Sequence, residues 1–291
     1  MHGTKSTGEP MPTIYHYCDA TAFTSVIQKR VLWLSNTRRM NDASEVVGME
    51  RAFRELIEVE ARSANWTDQK LRSLLDDLAV NRPELYVACF SAQGDATVQW
   101  KTYAAAGRGF SLGFDSDLLW TNVSKPVDLG SDQPVWLPKW ATPPARTMVL
   151  TPVLYLTPDI QQRIDEFLRG ILSLPDIKRD PYVSNFLHGC AAVCKDSSFI
   201  HEEEWRLAYL PVIANGQVII GELQDMLWRS GPHGITPYFA FDFQPTALRE
   251  VILGPINPDH EPSSMHLVRH FLDAHGLSHV TIAVSKSPYR G

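Results

Sequence analysis

The densest group of ionisable residues in the chain runs from Lys195 to Arg206, reading KDSSFIHEEEWR. Side chains alternate along an extended strand, so Glu202, Glu204 and Arg206 fall on one face. Glu203, Trp205 and Leu207 then point the other way, which is expected to be inward. Two carboxylates beside a guanidinium and an ammonium can bind a sugar hydroxyl or stabilise a developing positive charge. The same set can instead form a solvated edge of mutual ion pairs, worth little to stability. Glu204 and Glu202 are the candidate catalytic carboxylates, and Lys195 and Arg206 are the candidate binding cations.

A second group sits on two apolar runs near the N-terminus, Tyr15-His16-Tyr17 and Trp33-Leu34-Ser35. Aromatic rings beside hydrogen-bonding groups can stack a base or a nicotinamide and bind its amide. They can equally be core packing around a satisfied histidine. The loop Arg38-Arg39-Met40-Asn41-Asp42 can grip phosphates through its arginines, or serve only to lead into a helix capped by Ser44. A third group is Cys89-Phe90-Ser91 followed by Trp100 and Tyr103, which share one helical face at i and i+3. Core packing is again the plain alternative. His16, Trp33, Ser35, Asn41, Ser91, Trp100 and Tyr103 are therefore the candidate ligand-binding residues.

Other motifs dissolve on inspection. Gly107-Arg108-Gly109 with Gly113 follows a helix and precedes a strand, the reverse of the order a dinucleotide fingerprint needs. His266 and His270 stand four apart on a helix, but no Glu follows His266, and a solvated helix flank accounts for them. Cys190 and Cys194 read as a small buried pair on a helix. The four cysteines form no C-x-x-C pair, so neither a zinc site nor a disulfide is expected. No G-x-S-x-G elbow occurs.

The elements that must position these residues are a mixture. Strands are expected over 13–18, 31–35, 85–91, 110–114, 148–156, 204–210, 238–243, 250–253 and 279–284. Helices are expected over 20–29, 45–59, 67–80, 98–106, 159–174, 183–195 and 263–275. The proline-rich stretch 121–146 reads as an irregular loop. Strands and helices follow no β-α-β repeat, so the fold class is α+β. Mixed or antiparallel sheets are expected around a cleft, in one domain over 13–291 with a helical insertion near 157–198. Residues 1–12 read as a disordered lead.

Composition narrows the function classes. Lys plus Arg number 27 and Asp plus Glu 33, giving a net charge of −6 in 291 residues. A protein with that balance has no broad basic face, so nucleic acid is not an expected partner. With 44% hydrophobic and 21% charged residues, the chain is a folded globular protein and neither a disordered chain nor a rod. No run approaches the roughly 20 apolar residues of a membrane helix, and the polar N-terminus has no secretory apolar core. Few cysteines and no leader point to the reducing cytoplasm.

The same stretches resemble a bacterial family, domain of unknown function 2971. The resemblance rests on Met40–Glu45 for an F-N-D-P-x-E loop and Cys89–Ser91 for C-F-S. It continues through Trp100 to Tyr103 for W-x-x-Y and Gly109 to Phe114 for a G-x-x-x-G-F strand. Lys195, Phe199 and Glu202 to Arg206 match a late K, aromatic and E-x-E-W-R; Ile252–Gly254 and Ser285 to Arg290 close it. Ala43 stands where the family often has Pro, and Gln99 where an apolar residue is common. The order of a His strand, an aromatic-and-Ser strand and a late Glu strand is also similar to ADP-ribosyltransferases. That likeness implies that His16 binds the nicotinamide ribose of NAD, Trp33 or Tyr103 stacks on nicotinamide, and Glu204 stabilises an oxocarbenium-like transition state. It implies a NAD-dependent ADP-ribosyltransferase or NAD glycohydrolase, in a bacterial toxin or phage-defence setting, with NAD as substrate and no metal. The competing readings are a non-catalytic nucleotide-sensing module and a metal-independent nuclease built on Glu202, Glu204, Lys195 and Arg206.

Overall fold

The computed structural model describes residues 12–39, 43–80, 84–121, 147–174, 192–231 and 234–290, with 183, 186, 189 and 190. The fold is α+β. The described residues form two compact units. The first takes them from Met1–Leu32, Phe90–Lys125 and Asp242–Gly291, the second from Trp33–Cys89 and Pro126–Phe241.

The first unit is built on a mixed sheet. Strand β1 (Thr13–Cys18) pairs antiparallel with β4 (Phe110–Asp115), His16 lying opposite Leu112. On its other side β1 meets the last residue of β3 (Tyr86–Ser91), with Tyr15 opposite Ser91. Beyond β4 comes β13 (Leu248–Leu253), antiparallel, and then β14 (Thr281–Val284), parallel to β13. The parallel step is possible because α7 (Pro262–Ala274) makes the crossover. Helix α1 (Ala20–Lys29) starts where Asp19 accepts the amide of Ala22 at 2.7 Å, and ends at left-handed Arg30. Its buried face carries Phe23, Val26 and Ile27, and Phe23 stacks on Phe110 at 4.0 Å between centroids.

Helix α4 (Thr97–Tyr103) is shorter than the sequence pattern predicts. Ala105, Ala106 and Gly107 all take positive φ, at 47°, 52° and 84°, and this left-handed turn breaks the helix. The turn is locked from two sides. The amides of Gly254 and Ile256 donate to the carbonyls of Gly109 and Gly107, at 3.0 and 3.1 Å. A Cβ on Gly109 would stand 2.1 Å from the carbonyl oxygen of Cys18, and one on Gly254 2.2 Å from that of Gly107. The glycines of this region thus serve close backbone approach, in keeping with the turn read from the sequence.

The second unit carries the remainder of β3 and, from Trp33, of β2 (Val31–Asn36), which pairs antiparallel with β3. Strand β8 (Glu204–Tyr209) pairs with β3 and, antiparallel, with β5 (Met148–Pro152). Pro152 ends β5, so the single strand expected over 148–156 is split, and β6 (Leu154–Leu156) instead pairs parallel with β7 (Cys194–Asp196). Cys194 and Lys195 are therefore strand residues and not the end of a helix: ladder bonds to Leu154–Leu156 replace helical ones. Helices α2 (Ala43–Ser63), α3 (Asp68–Val80) and α6 (Pro158–Leu172) bring Phe53, Ile57, Leu74, Ile164 and Leu168 to one core with Val87, Cys190 and Ala208. A hairpin of β9 (Val212–Ala214) and β10 (Gln217–Ile220), absent from the sequence reading, turns at Asn215-Gly216 with φ of 52° and 75°. Strands β11 (Met226–Gly231) and β12 (Gly234–Asp242) form a second hairpin.

None of the four cysteines is joined in a disulfide. Among the described residues no group of three His, Cys, Asp or Glu is placed to hold a metal, and no helix is long and apolar enough to cross a membrane. The expected lead over 1–12 falls outside the described residues except for Pro12, and the loop over 121–146 does so except for Thr121.

Candidate functional site

Four charges meet inside the second unit. Strand β7 places Lys195, whose side chain has no solvent exposure. Asp196 then caps a short 3-10 turn, Ser197–Glu202, by accepting the amide of Ser198 at 2.9 Å. Glu203 closes the turn in the left-handed conformation, φ 43°. That reversal directs Glu202, at the end of the turn, and Glu204, the first residue of β8, at the same ammonium group. Lys195 Nζ donates to Glu202 Oε2 at 2.7 Å and to Glu204 Oε2 at 3.0 Å. Alternation along β8 returns Arg206 to that side, and its Nε donates to Glu204 Oε1 at 2.7 Å. Arg206 also reaches the carbonyl of Cys194 at 3.4 Å. The backbone of Glu204 is tied as well, its amide donating to the Tyr155 hydroxyl at 2.8 Å and its carbonyl accepting from Val153. Tyr155 lies directly across the β6–β7 ladder from Lys195.

The electrostatics follow from this count. Among the described residues two cations pair with two anions here, which is how buried charge is tolerated. Burial alone would raise the Glu204 carboxyl, but the charges and hydrogen bonds of Arg206 and Lys195 outweigh it and hold the group below its ordinary range. Burial pushes the Cys89 thiol well up, and the neighbouring Glu204 carboxylate adds to that. The Phe199 ring covers Lys195 at 4.5 Å. Glu202, Glu204 and Arg206 do share a side, as alternation predicts. The expectation of an exposed polar face with Trp205 inward is corrected: the polar residues are buried and Trp205 is only half-buried. The core accepts this because each charge has its complement within hydrogen-bonding distance.

A second grouping in this unit gathers Trp33 and Ser35. Strand pairing puts Leu227 opposite Tyr238 and Arg229 opposite Thr236, so these four side chains share a face. The Tyr238 ring lies 4.8 Å from that of Trp33. The Arg229 guanidinium stands 5.2 Å from the Trp33 ring centroid and donates to Ser35 Oγ at 3.0 Å. Arg229 is exposed, and Trp33 and Tyr238 are half-buried. Sequence reasoning missed Arg229 and Tyr238 as members of this group. Their signal lay in the β11–β12 hairpin, of which only the end of β12 was predicted.

The first unit separates the remaining candidates. Tyr15 and Tyr17 share one face of β1 and His16 the other. His16 meets Phe90 edge-on at 5.7 Å. Ser91 lies opposite Tyr15, and Trp100 packs on Tyr17 at 4.9 Å with Tyr103 against the same cluster. His16 therefore stands on the opposite side of the sheet from Ser91, Trp100 and Tyr103, so these candidates do not form one site. Trp100 is fully buried, and its Nε1 donates to Asp95 Oδ1 at 2.6 Å. It is a core residue, because the same carboxylate also accepts from Ser285 Oγ and from the Lys286 amide at 2.6 Å. Ser91 Oγ, buried, accepts the Gln93 amide at 3.1 Å. Asn41 lies outside the described residues.

Comparison with known families places the buried charges in a wider setting. Residues 99–207 match the family model described as Protein of unknown function (DUF2971). The chain resembles DUF2971. The DUF2971 segment holds Trp100, Tyr103, Gly109 and the whole of the Lys195, Glu202, Glu204 and Arg206 cluster. The motifs at Met40–Glu45, Cys89–Ser91, Ile252–Gly254 and Ser285–Arg290 fall outside the matched residues. No curated protein and no solved structure matches the chain.

Proposed function

We propose that this chain is a nucleotide-type ligand-binding module that does not cleave what it binds. The observation that carries the reading is the exposed Arg229 held over half-buried Trp33, with Tyr238 and Ser35 beside it. An aromatic face stacks a base, a guanidinium pairs bidentately with phosphate, and a hydroxyl fixes orientation. NAD cleavage by transfer or hydrolysis asks instead for a carboxylate able to turn to a developing cation. Glu204 has both oxygens committed to Arg206 and Lys195 and is 4% exposed, which weighs toward binding. A nuclease reading is weakened by the mutual ion pairing of these residues and by the net charge of −6.

The test is titration of the full chain with NAD, ATP and a dinucleotide, followed by tryptophan fluorescence and calorimetry, alongside incubation with NAD and assay of free nicotinamide. The expected result is saturable binding that Trp33→Ala and Arg229→Ala each weaken by about tenfold or more, with no nicotinamide released. Nicotinamide release that disappears in a folded Glu204→Gln variant would overturn this in favour of NAD chemistry.

A further inference from the structure

Strand β11 ends its sheet: among the described residues it pairs with β12 and with no other strand. An edge of this kind presents a row of backbone donors and acceptors to any extended chain. Proteins that must stay apart blunt such edges with proline, lysine, a bulge or a very short strand. β11 reads MLWRSG, six residues without proline or lysine, and its register with β12 is unbroken from Met226 to Gly231. Other sheet ends differ: β5 ends in Pro152 and β14 has four residues. Two of its side chains are apolar and exposed, Leu227 at 39% and Trp228 at 58%, beside the exposed Arg229.

We infer that β11 is a dimerisation edge that pairs antiparallel with β11 of a second copy of this chain. Antiparallel pairing across a two-fold axis normal to the sheet keeps like faces together, so the axis must pass through a residue position. An axis at Arg229 would set two guanidinium groups directly opposite one another, which is repulsive. An axis at Leu227 sets Leu227 against Leu227 of the second copy and Met226 against Trp228. Carried one residue past the strand, it sets Asp225 against Arg229, twice by symmetry. Both are exposed. That register satisfies the backbone ladder, covers the exposed leucine and tryptophan, and matches opposite charges. The pairing is isologous and closes at two copies.

Sedimentation velocity of the full chain over a hundredfold concentration range tests this. The expected result is a reversible monomer–dimer equilibrium. Asp225→Arg and Arg229→Asp each place like charges opposite and weaken dimerisation by about tenfold. The double exchange Asp225→Arg with Arg229→Asp restores it, and Leu227→Lys abolishes it. Circular dichroism verifies that each variant is folded; should Arg229→Asp fail, Asp225→Arg and Leu227→Lys carry the test. A wild-type chain that stays monomeric throughout overturns the inference, as does a dimer indifferent to Asp225→Arg and Leu227→Lys. Because Arg229 also belongs to the proposed ligand site, Asp225→Arg and Leu227→Lys decide dimerisation, and ligand binding is read separately through Trp33→Ala.

Discussion

Glu204 and its neighbour Trp205 exchange the roles that strand alternation alone suggests. Glu204 is bound to two cations in the core, so Glu204→Gln leaves buried positive charge without its complement and lowers stability by about 3–5 kcal/mol. Trp205 is half-buried, and Trp205→Ala costs about half of the 3–5 kcal/mol of a fully buried aromatic. Urea unfolding of the two variants side by side checks that order. The pH dependence has a definite sign. Glu204 in the folded chain ionises below its ordinary range, so its contribution is fully present above the pKa of the unfolded chain. It is lost as pH falls through the lower, folded value. Wild-type stability should therefore decline below about pH 4, and acid titration of Glu204→Gln should show a shallower slope there. The spacing of Glu202, Glu204 and Arg206 was legible because a period of two is a backbone property. Their burial was not: it depends on Lys195 arriving from another strand, and no local pattern announces a partner seven or more residues away.

At the scale of elements, two loops of the first unit act as one joint. Gly109 and Gly254 admit backbone where a Cβ would collide with the carbonyls of Cys18 and Gly107. Gly109→Ala and Gly254→Ala should each cost about 3 kcal/mol, since backbone gives way less readily than a side-chain tip. Thermal unfolding of both variants measures this. Asp95 is the other fastener, joining Trp100 of α4 to the backbone and hydroxyl of the Ser285–Lys286 segment. Asp95→Ala should cost about 2 kcal/mol and speed amide exchange over 285–290. Most helices and the strands of the first unit were readable from apolar spacing and caps, Asp19 among them. The β9–β10 hairpin was missed although Asn215-Gly216 is the residue pair that a two-residue hairpin turn favours, because its flanking strands are short and exposed. Residues 148–156 look like one strand by composition; only the proline at 152, which cannot donate to a ladder, marks the split.

Seen whole, the molecule is threaded: the first unit takes its strands from three separate stretches of chain. Deleting Asp242–Gly291 removes β13 and β14 and uncovers β4, whose Phe110, Leu112 and Phe114 are buried. Such a truncation should lose protease resistance across Thr13–Cys18 and Phe110–Asp115, as limited proteolysis with mass spectrometry would show. The placement of the thiols has a practical consequence for following these motions. Cys18 belongs to the first unit, while Cys89, Cys190 and Cys194 belong to the second. Burial raises the thiols of Cys18, Cys89 and Cys190, so these three offer little thiolate to an alkylating reagent in the native chain. Each half of the protein thus carries its own silent clock. Pulses of iodoacetamide, read peptide by peptide, would time how often each unit opens.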